Sequence, residues 1–182
     1  SLKNLFRLKR LRILNKVSII KGTALNKKFL NKLLKKDTSI KEIYYFAGDS
    51  SVVNSFEHPD TSLNSNVLGI LNILISVKNI NKKIRIFNAA SGQIFGNKKM
   101  NHYSENSLID PQSPYGIAKA SSLWLSKIYR KEHNLYSCSG ILFNHESTLR
   151  SENFVTKKII DTSLKMKKNN SLNLYLGDIN IY

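Results

Sequence analysis

Sulfur is scarce in this chain: one cysteine, Cys138, and two methionines among 182 residues. A lone cysteine excludes an internal disulfide, and such usage fits a reducing cytoplasm. Cys138 stands in the apolar run 137–143 and is expected to be buried and inert. Proline and glycine are also few, three and eight. Neither G-x-G-x-x-G nor G-x-x-G-x-x-G occurs, so the sequence lacks the turn whose backbone N–H groups hold a pyrophosphate at a helix N-terminus. No apolar run approaches the ~20 residues that cross a bilayer. The start, Ser1-Leu2-Lys3-Asn4, has no initiator Met and no signal-peptide pattern, so no membrane partner is expected. His58, His102 and His133 have no ligand spacing, and no metal site is expected.

Acidic residues are the other shortage: 12 against 29 basic ones, a net charge of +17. That balance admits a nucleic-acid or anionic-surface binder. Two features argue against it. Only six of the 29 basic residues are arginine, and the lysines are scattered with asparagines along the whole chain rather than gathered on one stripe. Lys- and Asn-rich usage also follows from an AT-rich genome. No nucleic-acid partner is expected.

What remains is an ordinary globular apolar content, 41%, in a regular pattern. Leu2, Leu5, Leu8 and Leu11 give 2–13 a helix-like spacing. The stretch 17–22 reads as a strand. Phe29, Leu30, Leu33 and Leu34 predict a helix over 27–36. A strand over 42–46 ends at Ala47-Gly48; a helix dense in Leu, Ile and Val covers 62–79; and a strand covers 84–89. Pro114, a favoured first-turn residue, opens a helix over 114–132, followed by a strand over 137–143. A helix over 154–166 and a candidate short strand over 172–176 complete the chain. Strands alternating with helices predict a parallel α/β sheet. The alternation stops after Phe143.

Two stretches carry chemistry. Asn88-Ala89-Ala90-Ser91-Gly92-Gln93-Ile94-Phe95-Gly96 places a hydroxyl, Ser91, at the end of an apolar strand, where α/β sheets put their sites. Ser113-Pro114-Tyr115-Gly116-Ile117-Ala118-Lys119 places a phenol and an ammonium at i and i+4, on one helical face. A cation beside a tyrosine favours the phenolate, which makes Tyr115 a candidate proton acceptor near neutral pH. Ser91 lies 115 − 91 = 24 residues upstream.

Together these residues resemble the Ser/Thr, Tyr and Lys set of the extended short-chain dehydrogenase/reductases. Longer matches narrow the resemblance to the GDP-mannose 4,6-dehydratases: 113–119, then Gly140-Ile141-Leu142-Phe143-Asn144-His145-Glu146-Ser147, then Asn153-Phe154-Val155-Thr156-Lys157-Lys158. The Phe-Asn-His-Glu-Ser run is the most specific. The resemblance extends from Asn4-Leu5-Phe6-Arg7-Leu8 to Leu176-Gly177-Asp178. It implies a Rossmann-like parallel sheet with helices on both faces, lacking its first βαβ segment, over 1–143, and the beginning of a small substrate domain over 144–182. The chain then reads as an internal fragment of a longer enzyme, inactive alone.

The resemblance also implies roles. Tyr115 would be base and acid at the sugar C4 hydroxyl, Lys119 would hold the nicotinamide ribose, and Ser91 would bond the same hydroxyl. Phe46-Ala47-Gly48-Asp49-Ser50 would border the cofactor, as would Thr23 and Ala24, although Thr23 stands where the family has an acidic residue beside the adenine. His145 and Arg150 would be further cofactor contacts, and Asn144 and Lys158 would face the nucleotide sugar. The implied cofactor is NADP, with NAD as the alternative. The implied substrate is GDP-mannose or a related GDP-sugar, and a basic surface suits its diphosphate. A homo-oligomer built on the helices around 64–79 and 114–132 is implied as well.

Gln93 departs from the pattern, which has a Glu there as the base that removes the C5 proton. A primary amide cannot accept that proton near pH 7, and losing a positioned base costs ~10²–10⁴ in rate. Four readings stand: a weak or inactive dehydratase, a dehydratase with another base, a GDP-sugar epimerase or reductase that needs only the C4 redox step, or a nucleotide-sugar-binding homologue without turnover.

Overall fold

A computed structural model describes residues 5–96, 102–152, 154–168 and 172–176. The chain divides into two compact units, 20–144 and a second formed by 1–19 with 145–182.

The larger unit is built on three parallel strands, β1 (Glu42–Tyr45), β2 (Arg85–Ser91) and β3 (Ser137–Leu142), in the order β1-β2-β3. Tyr45 pairs with Asn88, and Ser91 with Leu142. Its helices are α2 (Lys27–Lys36), α3 (Val52–Glu57), α4 (Pro59–Leu63), α5 (Gly69–Ile80) and α6 (Pro114–His133). The smaller unit holds α1 (Phe6–Arg10) and α7 (Val155–Met166). The expected Rossmann-like α/β class is present.

Period-two alternation sorts the sheet. Ile43, Tyr45, Ile86 and Asn88 point to the helix side, where Ile70, Ile73, Leu74 and Val77 of α5, Leu34 of α2 and Leu135 close the core. Odd-numbered neighbours in β2 point the other way. There Phe87 lies 6.0 Å from Tyr44 and 5.7 Å from Phe46, ring centre to ring centre, and Tyr44 and Phe46 stay exposed. Within this unit the packed helices cover one face.

Local chemistry fixes the helix ends. Asn26 Oδ1 accepts from Phe29 N to start α2, whose last turn carries Lys35 and Lys36 where cations suit the dipole. Ser113 Oγ accepts from Gly116 N to start α6, with Pro114 in the first turn. Asn134, in the left-handed region at φ 54°, ends it. Asn88, buried at the centre of β2, donates from Nδ2 to Ser122 Oγ at 3.2 Å and Ser139 Oγ at 3.3 Å, joining α6 and β3 to β2.

Several expectations are corrected. No ladder forms over 17–22: among the described residues it has no strand partner, and Val17, Ile19 and Ile20 are exposed. β-branched composition without a neighbouring edge does not make a strand. The stretch 172–176 is likewise unpaired. Of the helix expected over 2–13, residues 2–4 lie outside the described residues; α1 runs Phe6–Arg10 and goes no further, because Arg12 takes φ 56°, which an α-helix does not admit. Cys138 is exposed, since alternation in β3 turns it to the face opposite the helices. A helical stretch does reach membrane-spanning length: Pro59–Ile80 runs 22 residues and holds an 18-residue window of mean hydropathy 1.2. The side chains that make it apolar include the core residues Ile70, Ile73, Leu74 and Val77.

Candidate active site

The carboxyl edge of the sheet gathers Ser91, Tyr115, Lys119 and the loop after β1. β2 ends at Ser91, whose Oγ accepts from Gln93 N at 3.3 Å and so caps the short 3₁₀ turn Gly92–Phe95. The hydroxyl still has its own proton to donate. Ile94 and Phe95 are buried and anchor the turn; the Phe95 ring stacks on Tyr103 at 4.8 Å and on Phe143 at 6.2 Å. A Cβ at position 92 would meet the Phe143 ring at 2.8 Å, which is why this turn needs glycine. Gln93 is exposed at the turn's surface.

α6 supplies the other half. Tyr115 and Lys119 are each 8% exposed. The Lys119 Nζ sits 5.6 Å from the centre of the Tyr115 ring and donates to the Ala89 carbonyl of β2 at 2.8 Å. The i,i+4 pairing is therefore realised, with the ammonium pinned between its own helix and the strand that ends at Ser91. Burial lowers the Lys119 pKa to about 8, and the Asp49 carboxylate works in the opposite direction. One of the three ammonium donors is spent on Ala89, leaving two for hydroxyls of a bound molecule. That donor set fits a ribose, the part of a nicotinamide dinucleotide that sequence resemblance assigns to it.

The loop after β1 lies at the same edge. Asp49 Oδ1 accepts from Ser50 N at 2.8 Å and Ser51 N at 3.3 Å. A Cβ at Gly48 would fall 1.9 Å from Asn66 Oδ1, so the approach that glycine permits here is that of a side chain from the neighbouring helix. Ala47 is exposed, and Phe46 leans on Phe87. Thr23 and Ala24 form a turn fixed elsewhere: Thr23 Oγ1 accepts from Leu25 N at 3.2 Å, and the Ala24 carbonyl accepts from Asn72 Nδ2 of α5 at 3.0 Å. Asn144 is exposed at the end of this unit.

In the smaller unit His145 is exposed. The Arg150 guanidinium lies 3.5 Å from the centre of the Phe154 ring, and its Nε is 3.5 Å from Glu146 Oε2. Lys158 Nζ donates to the Tyr175 carbonyl.

Ser55 was not visible from sequence. It is fully buried, donates to the Val52 carbonyl at 2.6 Å and accepts from Tyr115 N at 3.1 Å, so α3 holds the first turn of α6. Asn66, 1% exposed, was also missed. The signal available was a run of small polar residues, Ser62, Ser65 and Asn66, inside an otherwise apolar helix.

The family model described as GDP-mannose 4,6 dehydratase matches residues 1–182. The chain belongs to the GDP-mannose 4,6 dehydratase family. It is 38% identical over 142 residues to GDP-mannose 4,6 dehydratase 1 of Arabidopsis thaliana, across 76% of this chain and 39% of the plant protein. It is 33% identical over 148 residues to the GDP-mannose 4,6-dehydratase of Yersinia enterocolitica, across 80% of this chain and 40% of that protein. The chain thus spans about two fifths of the length of these curated relatives. Among solved structures, RMD from Pseudomonas aeruginosa complexed with NADPH aligns with a TM-score of 0.77 at 20% identity, covering 90% of this chain and 59% of that one. A DesIV double mutant, a dTDP-glucose 4,6-dehydratase from Streptomyces venezuelae with NAD and DAU bound, aligns at 0.77 and 19% identity, covering 91% and 49%. These two likenesses establish the fold of the dehydratase-family chain.

Proposed function

We propose that this chain is part of a GDP-mannose 4,6-dehydratase, which converts GDP-mannose to GDP-4-keto-6-deoxy-mannose. The observation that carries the reading is the buried Lys119, held by Ala89 beside the Tyr115 ring on the strand that ends at Ser91. A nicotinamide dinucleotide, NADP in this reading, supplies a hydride acceptor for C4 and later the donor to C6.

The chain's own residues handle protons and position. Tyr115 takes the C4 hydroxyl proton as C4 is oxidised, and the Lys119 ammonium favours the phenolate that does so. Ser91 donates to the same oxygen and keeps it on the phenol. Oxidation at C4 acidifies the C5–H bond, and loss of that proton with the C6 hydroxyl removes one water. Gln93 stands at the position of the C5 base but its amide cannot accept the proton, so another group must do so or elimination is slow. The spare donors of Lys119 would hold the cofactor ribose, with His145 and Arg150 as further contacts, Asn144 and Lys158 toward the sugar nucleotide, and the loop Phe46–Ser50 and the Thr23–Ala24 turn along the cofactor.

This reading includes self-association. Ile117, Trp124 and Ile128 recur along one face of α6 and are about half exposed, an apolar strip suited to a second copy. Light scattering of the full-length protein tests it, and a monomer would refute it.

The function is tested on the full-length protein incubated with GDP-mannose and either NADP or NAD, with the sugar nucleotide followed by mass spectrometry. A product lighter by one water is the expected result. GDP-mannose left unchanged by both the native protein and Gln93→Glu, with the cofactor bound, would overturn the reading in favour of an epimerase or reductase.

A further inference from the structure

The first N–H groups of an α-helix have no partner inside the helix. In α6 these positions are 114–116, and they include Tyr115. Pro114 has no N–H to satisfy. Gly116 N donates to Ser113 Oγ at 3.0 Å, and the helix's own bonding begins with Ile117 N on the Ser113 carbonyl at 2.9 Å. That leaves Tyr115 N. Its acceptor comes from 60 residues away in the sequence: Ser55 Oγ of α3, at 3.1 Å.

The Ser55 hydroxyl is fixed in its role. It is fully buried, and its own proton goes to the Val52 carbonyl at 2.6 Å, so the oxygen meets Tyr115 N as an acceptor. Alanine would suit the helix better, and a buried hydroxyl is costly without its bonds. The serine is explained by what it accepts. α3 is itself tied down: Ser51 Oγ caps it by accepting from Asn54 N at 3.1 Å, and Ser51 N donates to Asp49 Oδ1 at 3.3 Å. The same turn of α6 is pressed from another side. A Cβ at Gly116 would fall 2.8 Å from the Gln93 carbonyl and 3.0 Å from Pro111 Cβ. Lys119 is held separately, one turn further along, by the Ala89 carbonyl.

We propose that Ser55 is a positioning residue for Tyr115: by accepting the Tyr115 amide it locks the first turn of α6, and so fixes where the phenol stands relative to the pinned Lys119 ammonium. Without that acceptor the Tyr115 N–H is stranded in a buried turn, and the turn frays to reach another partner. Lys119 stays on Ala89, so the phenol moves and the ammonium does not. A displacement of about 1 Å at a reacting group is enough to cost on the order of 10² in rate. The catalytic meaning rests on the dehydratase reading above; the bond from Tyr115 N to Ser55 does not, and is measurable with no substrate or cofactor.

The test has two parts. In the full-length protein, Ser55→Ala is expected to lower kcat for dehydration of GDP-mannose by about tenfold or more and to leave KM within about twofold, because the group it displaces acts in the transition state. Ser55→Thr keeps the oxygen and is expected to recover most of kcat. Leu74→Ala, a core variant of lower stability, is expected to keep the native kcat. In the 182-residue chain labelled with ¹⁵N-tyrosine, Ser55→Ala is expected to speed hydrogen exchange at the Tyr115 amide by about fivefold or more, that amide being identified by its loss in Tyr115→Phe. A native kcat in Ser55→Ala overturns the proposal, as does an equal loss in Leu74→Ala, which would mark general destabilisation. If Ser55→Ala does not fold, Ser55→Cys decides on the same readouts, since a thiol is a weak acceptor; native values there reject the proposal. If the native protein does not dehydrate GDP-mannose, the dehydratase reading fails and the amide decides alone: unchanged exchange overturns the anchoring of Tyr115, and faster exchange upholds it.

Discussion

Lys119→Met converts the buried ammonium into a measurable stability term. The lysine pKa falls from 10.5 to about 8 on folding, so the folded chain releases this proton at lower pH than the unfolded one. Between those values the unfolded state binds more protons, and stability therefore rises with pH. Below pH 8 the cost of holding a buried charge is fully present, and above 10.5 it is gone. The difference, 10.5 − 8 = 2.5 units, corresponds to about 3 kcal/mol. Met keeps the aliphatic length and does not titrate. Urea unfolding of the native chain and of Lys119→Met, at intervals from pH 7 to pH 10.5, isolates the term, because every other titrating group is common to both. The native-minus-Met difference is expected to climb by about 3 kcal/mol across that window, with most of the rise above pH 8. Two curves that stay parallel would show that Lys119 titrates in the folded chain as in water, and the burial argument would fall.

On the proposed mechanism, Tyr115→Phe in the full-length protein should leave cofactor binding intact and lower turnover by ~10²–10⁴ through loss of the proton acceptor; single-turnover rates and a binding titration separate the two effects. Asn88→Ala removes the donor shared by Ser122 and Ser139, and should cost about 1–3 kcal/mol in urea denaturation; Ser122 keeps its own bond to the Lys119 carbonyl. Leu74→Ala, at a fully buried position of α5, should cost about 2–5 kcal/mol in the same assay.

Much of this arrangement was legible from the order of residues because it is local. Apolar spacing placed α2 at Lys27–Lys36, a first-turn proline placed the start of α6 at Pro114, and the three strands of the sheet fall where apolar runs predicted them. The Tyr115–Lys119 pair could be foreseen because helical geometry alone sets residues four apart on one face. What was not legible depends on partners distant in sequence. The stretch 17–22 has the composition of a strand but finds no strand to pair with, so composition alone misled. Cys138 is exposed because of the register of β3 against β2, which the residues around it do not encode. α3 and α4 are short, five or six residues each, below the length at which periodicity is readable, and the cap Ser51 and the first-turn Pro59 were the available marks. Ser55 and Asn66 act on Tyr115 and on the Asp49 loop across 60 and 17 residues of chain, distances over which no motif reaches.

The pairing of the three strands also bears on how this chain comes to be folded. Glu42 meets Arg85 across 43 residues, and Ile86 meets Ser137 across 51. No strand can find its neighbour through a tight turn; each ladder closes a long loop whose entropy must be offset before the first bond between strands forms. Contacts of that separation place the sheet toward the slow end of single-domain folding, with the helices available early and the ladders late. During that interval Tyr44, Phe46 and Phe87 have not yet found one another. The β1–β2 edge is then the segment most open to pairing with another chain, and dilution and low temperature during refolding should favour recovery of the native fold.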